Sequence, residues 1–348
     1  MRFLLDDNET KKLVSLFNQH EKNLDYLLFL RHMVWNKPQI SGGFPNEDDP
    51  YKKRDFLFDN LEKDYPFPND YVSKNIRWDT KLLRIKDYQN NPYLKALNNL
   101  FFAKNDWELK NKTIRAYTLF PYEEEYHYGG NYFLKESLAF FDSDYSYPSL
   151  TLFGNEWMSL NPYEIRTMET PIITARGKVL TLGLGLGYFA FMTHLKEEVK
   201  EVHIVEMDLE LIKVFNEYLL PLFPHPEKII IHKADAFHFI ENIKDAEYDF
   251  IFSDLWHDTS DGIESYLKLK KAFKGFKKTQ LSYWIEGSIV TFLRILVIGV
   301  MRDEYYRLDN EYNNLQKLIK DRLNNRKIRN NYDVDDLLSI KGLNELMI

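Results

Sequence analysis

Short apolar strands alternate with helix-length segments from Lys178 onward, and this alternation constrains the fold more than any other feature. The strand candidates are KVLTL (178–182), EVHIVE (201–206), KIIIH (228–232), YDFIFSD (248–254) and LSYWIE (281–286). Helix-length segments lie between them, at residues 188–195, 209–219, 236–243 and 262–276. Because parallel strands need long crossover connections, this order predicts a mostly parallel sheet with helices on both faces.

The remaining sequence divides into regions of different periodicity. Apolar residues at three- and four-residue steps predict one or two helices over 8–35, a loop over 37–70 with a short helix near 54–61, and a helix after Pro92. Strands and hairpins are expected over 113–152, a buried helix over 289–301, a charged helix over 303–326 and a short helix near 334–346. We therefore expect an N-terminal helical and loop region (1–112), a β-hairpin region (113–175), a sheet domain (176–290) and C-terminal helices (291–348).

Composition excludes several classes of function. The 348 residues include no cysteine, so disulfides and thiolate chemistry are excluded, and the nine histidines show no compact ligand spacing, so no metal is predicted. A net charge of −7 disfavours a nucleic-acid partner, since such binding relies on Lys and Arg. The longest apolar run is shorter than the ~20 residues of a membrane span, and the N-terminus does not resemble a secretory signal. We expect a cytoplasmic protein without a membrane partner.

A glycine-rich turn follows the first strand of the sheet domain. Gly183-Leu184-Gly185-Leu186-Gly187 leads directly into the helical run that starts at Tyr188. Glycines permit a tight turn and close approach of a ligand, and the helix N-terminus offers free N–H groups. A tight turn without a ligand is the alternative interpretation, because glycine serves many turns.

Carboxylates follow three strands of the predicted sheet. Glu206 ends the second strand, about 20 residues after the glycines, where dinucleotide-binding folds hold ribose hydroxyls. Asp235 and Asp254 follow the third and fourth strands. Open α/β sheets bind ligands at this carboxyl edge, so we expect a nucleoside site there. Each acid could instead cap or stabilise the next helix, and Asp208 could do so in place of Glu206.

With these motifs, residues 178–258 resemble the cofactor half of class I S-adenosylmethionine-dependent methyltransferases, within the spermidine synthase-like branch. The stretch 150–171 is similar to the hairpin that precedes that domain, so the resemblance covers about 150–286. It implies a Rossmann-like class I methyltransferase fold with an N-terminal helical and β-hairpin addition, and S-adenosylmethionine as cofactor. The cofactor-binding residues that it implies are Gly183, Leu184, Gly185 and Gly187 for the methionine part, Glu206 for ribose, Met207, Asp235 and Ala236 for adenine, and Asp254 at the reaction centre.

The chain departs from the spermidine synthase pattern at positions that concern the substrate. Leu186 stands where those enzymes carry an aspartate for the donor amine, and His257 stands in the place of a second acid after the fourth strand. An ungapped match also replaces the Gln, Tyr, His and Glu of their hairpin motifs. A diamine needs carboxylates to compensate its charges, so these departures weigh against polyamine synthesis.

Several polar residues remain candidates for the reaction itself. Asp254, His257 and Asp258 are the catalytic candidates, since a histidine oriented by a carboxylate can act as a general base. Trp256, Trp157 and Tyr163 are the substrate-binding candidates. The structural alternative for His257 is a loop histidine hydrogen-bonded for structure, and the alternative for Trp256 is a packing residue between domains. The stretch PYEEEYHYGG (121–130) could reach over the acceptor site or be a solvated loop, and Glu286 could face the cleft or begin a helix.

Three functions are compatible with the sequence. The leading hypothesis is an S-adenosylmethionine-dependent methyltransferase with a small-molecule or protein acceptor. An aminopropyltransferase is the alternative within the same branch, and a non-catalytic nucleoside-binding or scaffold protein is the alternative from another class. The aromatic region 113–153 should cover the cleft or pair subunits, as in a homodimer, because exposed Tyr and Phe would otherwise form a sticky patch.

Overall fold

A computed structural model describes residues 1–36, 40, 43–46 and 48–348. The first half of the chain contains β1 (Arg2–Phe3), α1 (Asp7–Asn36), α2 (Pro50–Asp64), α3 (Asp70–Asp79), β2 (Lys81–Leu82), α4 (Ile85–Gln89), α5 (Pro92–Ala96), β3 (Phe102–Lys104), β4 (Trp107–Ile114), β5 (Phe120–Pro121), β6 (Tyr126–Tyr128), β7 (Phe133–Lys135), β8 (Leu138–Phe140), β9 (Tyr145–Leu152), β10 (Asn155–Ser159) and α6 (Pro162–Thr174).

The second half begins at the strand before the glycine-rich turn. It contains β11 (Gly177–Leu182), α7 (Tyr188–His194), β12 (Val199–Glu206), α8 (Leu209–Val214), β13 (Ile229–Lys233), α9 (Ala236–Ile240), β14 (Phe250–Ser253), α10 (Thr259–Ala272), β15 (Gln280–Tyr283), α11 (Glu286–Tyr306), α12 (Asn314–Leu323), β16 (Lys327–Ile328), α13 (Asn331–Leu338) and α14 (Ile340–Met347). One π-helical turn, Phe215–Leu219, continues α8.

The protein is a mixed α/β chain in which five strands pair in parallel in the order β13-β12-β11-β14-β15. All four residues of β14 are buried, as expected for a strand covered on both faces. The chain starts at β11, proceeds outward to β13 and then returns to β14 on the other side of β11. The strand order therefore reverses between β11 and β14, and the loops after these two strands border a crevice of the kind where α/β sheets bind ligands.

An antiparallel sheet precedes the parallel one. Its order is β10-β9-β4-β3, and the β9–β10 hairpin leads directly into α6. Asn161 begins α6 by accepting the amides of Tyr163 and Glu164, and Pro162 occupies the first turn, where its missing N–H costs nothing. This connection holds the hairpin and α6 beside the start of the parallel sheet.

The helices outside the sheet differ in part from the sequence predictions. Residues 7–36 form one helix. Within the loop expected over 37–70, α2 is longer than the helix expected over 54–61, and part of the remainder lies outside the described residues. The prediction of one charged helix over 303–326 is wrong, because α11 ends at Tyr306 with Arg307 in a left-handed cap and α12 covers only Asn314–Leu323. The expected domain boundary at 290 falls within α11. The last predicted helix is two helices that Ser339 separates.

Two buried clusters stabilise the described part of the chain. The larger one joins the parallel sheet to α6, α11 and the C-terminal helices. The second one lies between α1, α2, α3 and β8. Within the described residues, no helix has the length and apolarity that a membrane crossing requires.

Candidate functional site

The glycine turn joins β11 to α7 at the crevice between β11 and β14. Gly183, Gly185 and Gly187 all have positive φ angles, of 99°, 51° and 75°. A Cβ on Gly183 would fall well inside contact distance of the Asp254 carbonyl oxygen. The turn and the loop after β14 are therefore in direct backbone contact, and Gly183 is needed for that contact whether or not a ligand binds.

Met158 of β10 lies against the same turn. Its thioether sulfur is 3.2 Å from the Leu186 amide nitrogen, and a Cβ on Gly185 would overlap it. A thioether is a weak acceptor, so the Leu186 N–H is only weakly satisfied. Met158 lies outside the aromatic region 113–153 that was expected to cover the cleft, and sequence analysis missed its contact with the turn. A carboxylate of a ligand would be a stronger acceptor at that amide once Met158 moves aside.

Glu206 lies at the end of β12 and holds the turn from the other side. One carboxylate oxygen accepts the Leu184 amide at 3.3 Å and the other accepts the Asp208 amide at 2.8 Å. Asp208, not Glu206, caps α8, so the helix-capping alternative applies to Asp208. Each Glu206 oxygen retains a free lone pair, so a pair of ribose hydroxyls can still be accepted.

The residues expected around adenine are at the carboxyl edge of β12 and β13. Met207 follows Glu206 and is 67% exposed, which leaves its side chain available for a planar ring. Asp235 caps the short helix α9 by accepting the His238 amide at 2.9 Å, and Ala236 is buried. Asp235 thus meets its capping alternative, although its backbone still lies at this edge.

Asp254 follows β14, Glu164 lies in the first turn of α6, and the two form an acidic pair in the sense that the charge of Asp254 acts on Glu164. Neither carboxylate has a hydrogen-bond partner among the described residues, and Oε2 of Glu164 is fully buried. Burial raises the pKa of Asp254 to about 7, and burial together with the nearby charge of Asp254 raises the pKa of Glu164 well above its usual range. Sequence analysis missed Glu164, since it lies 90 positions before Asp254 on a different element. The pair is suited to a cationic ligand.

Three more polar side-chain atoms without partners lie at or just after the ends of β14 and β15. Among the described residues, the Ser253 hydroxyl, the Trp256 indole N–H and the Tyr283 hydroxyl are buried and make no hydrogen bond. Buried polar groups are normally satisfied, so such atoms at the end of β14 and β15 are what a polar ligand or bound water would complete. Trp256 is otherwise a packing residue, since its indole lies against Gly262 of α10. This contact favours a packing role for Trp256 over a role in binding substrate.

The loop after β14 contains the other catalytic candidates. Asp258 caps α10 by accepting the Ser260 amide at 2.6 Å in a capping box with Asp261. His257 is exposed and its Nδ1 lies 3.0 Å from Asp261, so Asp261 orients this ring, instead of Asp254 or Asp258. The ring of Trp157 meets the His257 ring edge-on at 5.4 Å. The structure thus brings Trp157 and His257 together, but at the surface of the crevice.

Two further candidates, Glu286 and the stretch 121–130, have partners around the start of α11. Glu286 accepts from the Tyr266 hydroxyl at 2.7 Å and Lys270 at 3.2 Å, and Glu124 accepts the Gly287 amide at 2.7 Å. The stretch 121–130 is therefore docked on α11 at Glu124 and Glu125, whereas Tyr126, Tyr128, Gly129 and Gly130 are exposed. Tyr163 of α6 is partly buried beside Glu124 and Glu164, and burial raises its pKa. Acidic groups consequently surround Tyr163.

Leu186 does not line a donor pocket. Its side chain is fully buried in the larger core, and its carbonyl oxygen accepts from the Tyr93 hydroxyl. The expectation that an aspartate at this position would meet the donor amine is therefore wrong, because a side chain at 186 points into the core. The difference between Leu186 and aspartate cannot be used to choose the donor.

If the cofactor expected from the sequence, S-adenosylmethionine, binds at this turn, replacing Met158 with alanine should strengthen its binding by roughly 3- to 10-fold, because the turn no longer has to release the thioether before it accepts a ligand. Calorimetric titration of both proteins measures this. Met347→Ala, the same change on α14, should leave the affinity unchanged. A weaker affinity in Met158→Ala would show that Met158 contacts the ligand instead of competing with it.

Comparisons with known proteins give structural likeness alone. No family model and no curated protein matches the chain. Spermidine synthase from Thermotoga maritima is 16% identical with a TM-score of 0.31, and the match covers 44% of this chain and 58% of that one. A spermidine synthase in complex with the transition state analogue AdoDATO is 16% identical, with a TM-score of 0.32 and coverage of 49% and 68%. A probable spermidine synthase from Corynebacterium glutamicum is 14% identical, with a TM-score of 0.33 and coverage of 45% and 62%.

Proposed function

We propose that the protein is a transferase that takes an alkyl group from an S-adenosyl sulfonium donor, with S-adenosylmethionine and methyl transfer as the first candidate, and that its acceptor is an amine. The observation that carries the proposal is the juxtaposition at the crevice: the glycine turn and Glu206 lie on one side, and the unpartnered pair of Asp254 and Glu164 lies on the other. Such a transferase would have the Rossmann-like class I methyltransferase fold.

The turn and Glu206 fit the nucleoside part of the donor. The Leu186 amide is held only by a thioether, which a donor carboxylate would replace, and Glu206 has lone pairs left for ribose. The exposed side chain of Met207 follows Glu206 at the same edge, where adenine can pack on it. The donor supplies an activated methyl group on a sulfonium sulfur, so the protein's task is to position the acceptor and manage its proton.

Asp254 and Glu164 fit the acceptor. Partly buried carboxylates without cations favour a ligand that brings a positive charge, and an ammonium group does so. An ammonium nitrogen has no lone pair, so it must lose a proton before it can attack. A carboxylate with a pKa of about 7 is suited to take that proton near neutral pH. The freed nitrogen then bonds to the methyl carbon, and the carbon–sulfur bond breaks to leave neutral S-adenosylhomocysteine.

Aminopropyl transfer is the second candidate, because the structure adds acidic residues to those considered as partners of the acceptor. Glu164 and Glu124 add to Asp254, and all three have a raised pKa for which burial is the largest cause. A diamine acceptor carries two charges that such a set can compensate. Because these carboxylates can compensate a diamine, the replaced residues of the hairpin motifs no longer argue against aminopropyl transfer.

The product distinguishes the reactions. Purified protein is incubated with S-adenosylmethionine or its decarboxylated form and a panel of mono- and diamines, and products are identified by mass spectrometry. S-Adenosylhomocysteine with a methylated amine supports the first candidate, and methylthioadenosine with an aminopropylated amine supports the second. Binding of the nucleoside without either product would favour the non-catalytic alternative. Failure to bind any of these nucleosides would overturn the proposal.

Replacing Glu206 with alanine is expected to weaken S-adenosylmethionine binding by about 1.5–3 kcal/mol, the usual range for hydrogen bonds to a charged group. Calorimetry on folded variants measures the loss. Glu210→Ala removes the same side chain from the next helix, where it pairs with Lys213, and should not change the affinity. An unchanged affinity in Glu206→Ala would remove Glu206 from the donor site.

A further inference from the structure

A cavity with mostly apolar walls and three charged residues lies away from the crevice, between α1 and the strands β5 to β8. Its volume is about 560 Å³, and it is lined by Leu30, Arg31, Val34, Trp35, Pro121, Glu125 and Glu136. The four helix residues lie on one face of α1, because they are spaced one, four and five positions apart. The size falls in the range of pockets that hold small molecules.

Glu136 is the reason to regard this cavity as a binding site. Its side chain is 92% buried (8% exposed), it lines the cavity, and among the described residues nothing donates to its carboxylate. Glu125 also lines the cavity with a carboxylate that has no partner in the described part of the chain. Burial raises the pKa of both groups, and for Glu136 the charge of Glu125 adds to the effect. Two carboxylates so close disfavour a shared negative charge and favour a bound cation.

The backbone holds Glu125 firmly in place. Its amide donates to the Ser288 hydroxyl at 3.0 Å, and its carbonyl oxygen accepts from the Thr291 hydroxyl at 3.2 Å. Both partners belong to α11, which is buried over much of its length. The carboxylate is therefore presented from a fixed position, as a specific site requires.

Arg31 gives the cavity a second kind of charge. It is exposed and lines the same cavity, and although the described residues include no carboxylate within ion-pair distance of it, its charge partly offsets the raised pKa of Glu125 and Glu136. A second cationic group on a ligand would be repelled by this guanidinium, whereas a carboxylate could form a two-point pair with it. The remaining lining, from Leu30, Val34, Trp35 and Pro121, is apolar.

We propose that this cavity binds a zwitterionic amino acid with an apolar side chain. Its ammonium group lies between Glu125 and Glu136, its carboxylate pairs with Arg31, and its side chain packs on the apolar lining from α1. Glu125 follows Glu124, whose side chain accepts the Gly287 amide in the first turn of α11, and the site shares no lining residue with the transferase crevice.

Titration with three probes of the same shape tests the site. L-Phenylalanine has both charges, 2-phenylethylamine has only the ammonium group, and 3-phenylpropanoate has only the carboxylate. Calorimetry should show L-phenylalanine binding at least ~10-fold more tightly than either of the other two probes, since each of these lacks one charged group and so loses one charge pair. Equal affinity for the amine and L-phenylalanine would overturn the role of Arg31, and no binding of any probe would overturn the site.

Variants assign the two charges separately. Glu136→Gln should weaken both L-phenylalanine and 2-phenylethylamine by ~10-fold or more, whereas Arg31→Gln should weaken L-phenylalanine alone. Val34→Phe fills the cavity without removing a charge and should abolish binding, which tests the position of the site independently of Glu136. Arg307→Gln is the matched control on an exposed arginine elsewhere. Glu206→Ala should bind L-phenylalanine as the wild type does, so failure of the donor site and failure of this site are distinguishable.

Discussion

Replacing Gly183 with alanine is expected to destabilise the protein by about 3–5 kcal/mol, in the upper range for single substitutions. The φ angle of 99° is strained for any residue with a side chain. The added Cβ would also overlap the carbonyl oxygen of Asp254, which is backbone and cannot rotate away. Relief requires the turn after β11 and the loop after β14 to separate, so donor and acceptor groups lose their alignment. Denaturant unfolding measures the free energy, and calorimetry measures donor binding in whatever fraction folds.

Two other glycines make this prediction specific. Gly185→Ala should cost less, about 1 kcal/mol, because the atom in its way belongs to the flexible end of Met158, although φ is also positive. Gly275→Ala meets nothing within 4 Å and should change the free energy of unfolding by less than about 0.5 kcal/mol. The order Gly183, Gly185, Gly275 is the expected result. A Gly183→Ala protein as stable as Gly275→Ala would show that the two loops are not in contact.

The sequence predicted the parts of the candidate site that depend on local pattern. The five strands of the parallel sheet, the glycine turn and Glu206 follow from the alternation of apolar runs with helix-length segments and from the position of each residue at a strand end. The hydrogen bonds that Glu206 accepts from the Leu184 and Asp208 amides could not be predicted, because they depend on the geometry of the folded loops.

Contacts between distant segments were beyond the reach of sequence reasoning. Met158 reaches the glycine turn and Glu164 reaches Asp254 only because the β9–β10 hairpin and α6 fold back onto the sheet. No periodicity marks such a pairing. The buried Leu186 was misassigned for a related reason, since the direction of a side chain in a tight turn depends on φ and ψ and not on its place in a motif.

Charged helices were also predicted poorly. Asp303 is buried in α11 and accepts from the Tyr312 hydroxyl at 3.1 Å, so the polar stretch after it turns back on itself instead of continuing as a helix. Arg307, with a φ of 56°, ends the helix where glycine or asparagine would have signalled a cap. An arginine in that conformation gives no sequence signal.

Replacing Asp254 with asparagine is expected to stabilise the protein above pH 7 and to lower the rate of transfer by ~10²- to 10⁴-fold. Burial raises the pKa of Asp254 from about 4 in the unfolded chain to about 7 in the folded one. The unfolded state therefore releases this proton first, and the free energy of unfolding falls as the pH rises from about 4 to about 7. Asparagine removes that penalty, which we put at about 2–4 kcal/mol above pH 7 for a partly exposed group.

The pH dependence separates this effect from ordinary changes in packing. Below pH 4 the wild-type carboxyl is protonated in both states, so the free energies of unfolding of wild type and Asp254→Asn should be nearly equal there and should diverge only as the pH rises. Asp258→Asn is the matched control in the same loop, because asparagine caps a helix about as well as aspartate. It should leave both stability and rate unchanged, whereas a loss of rate would restore Asp258 as a catalytic residue. If Asp254→Asn gains no stability at pH 8, the carboxylate is solvated or paired, and the proposed proton transfer to it loses its physical basis.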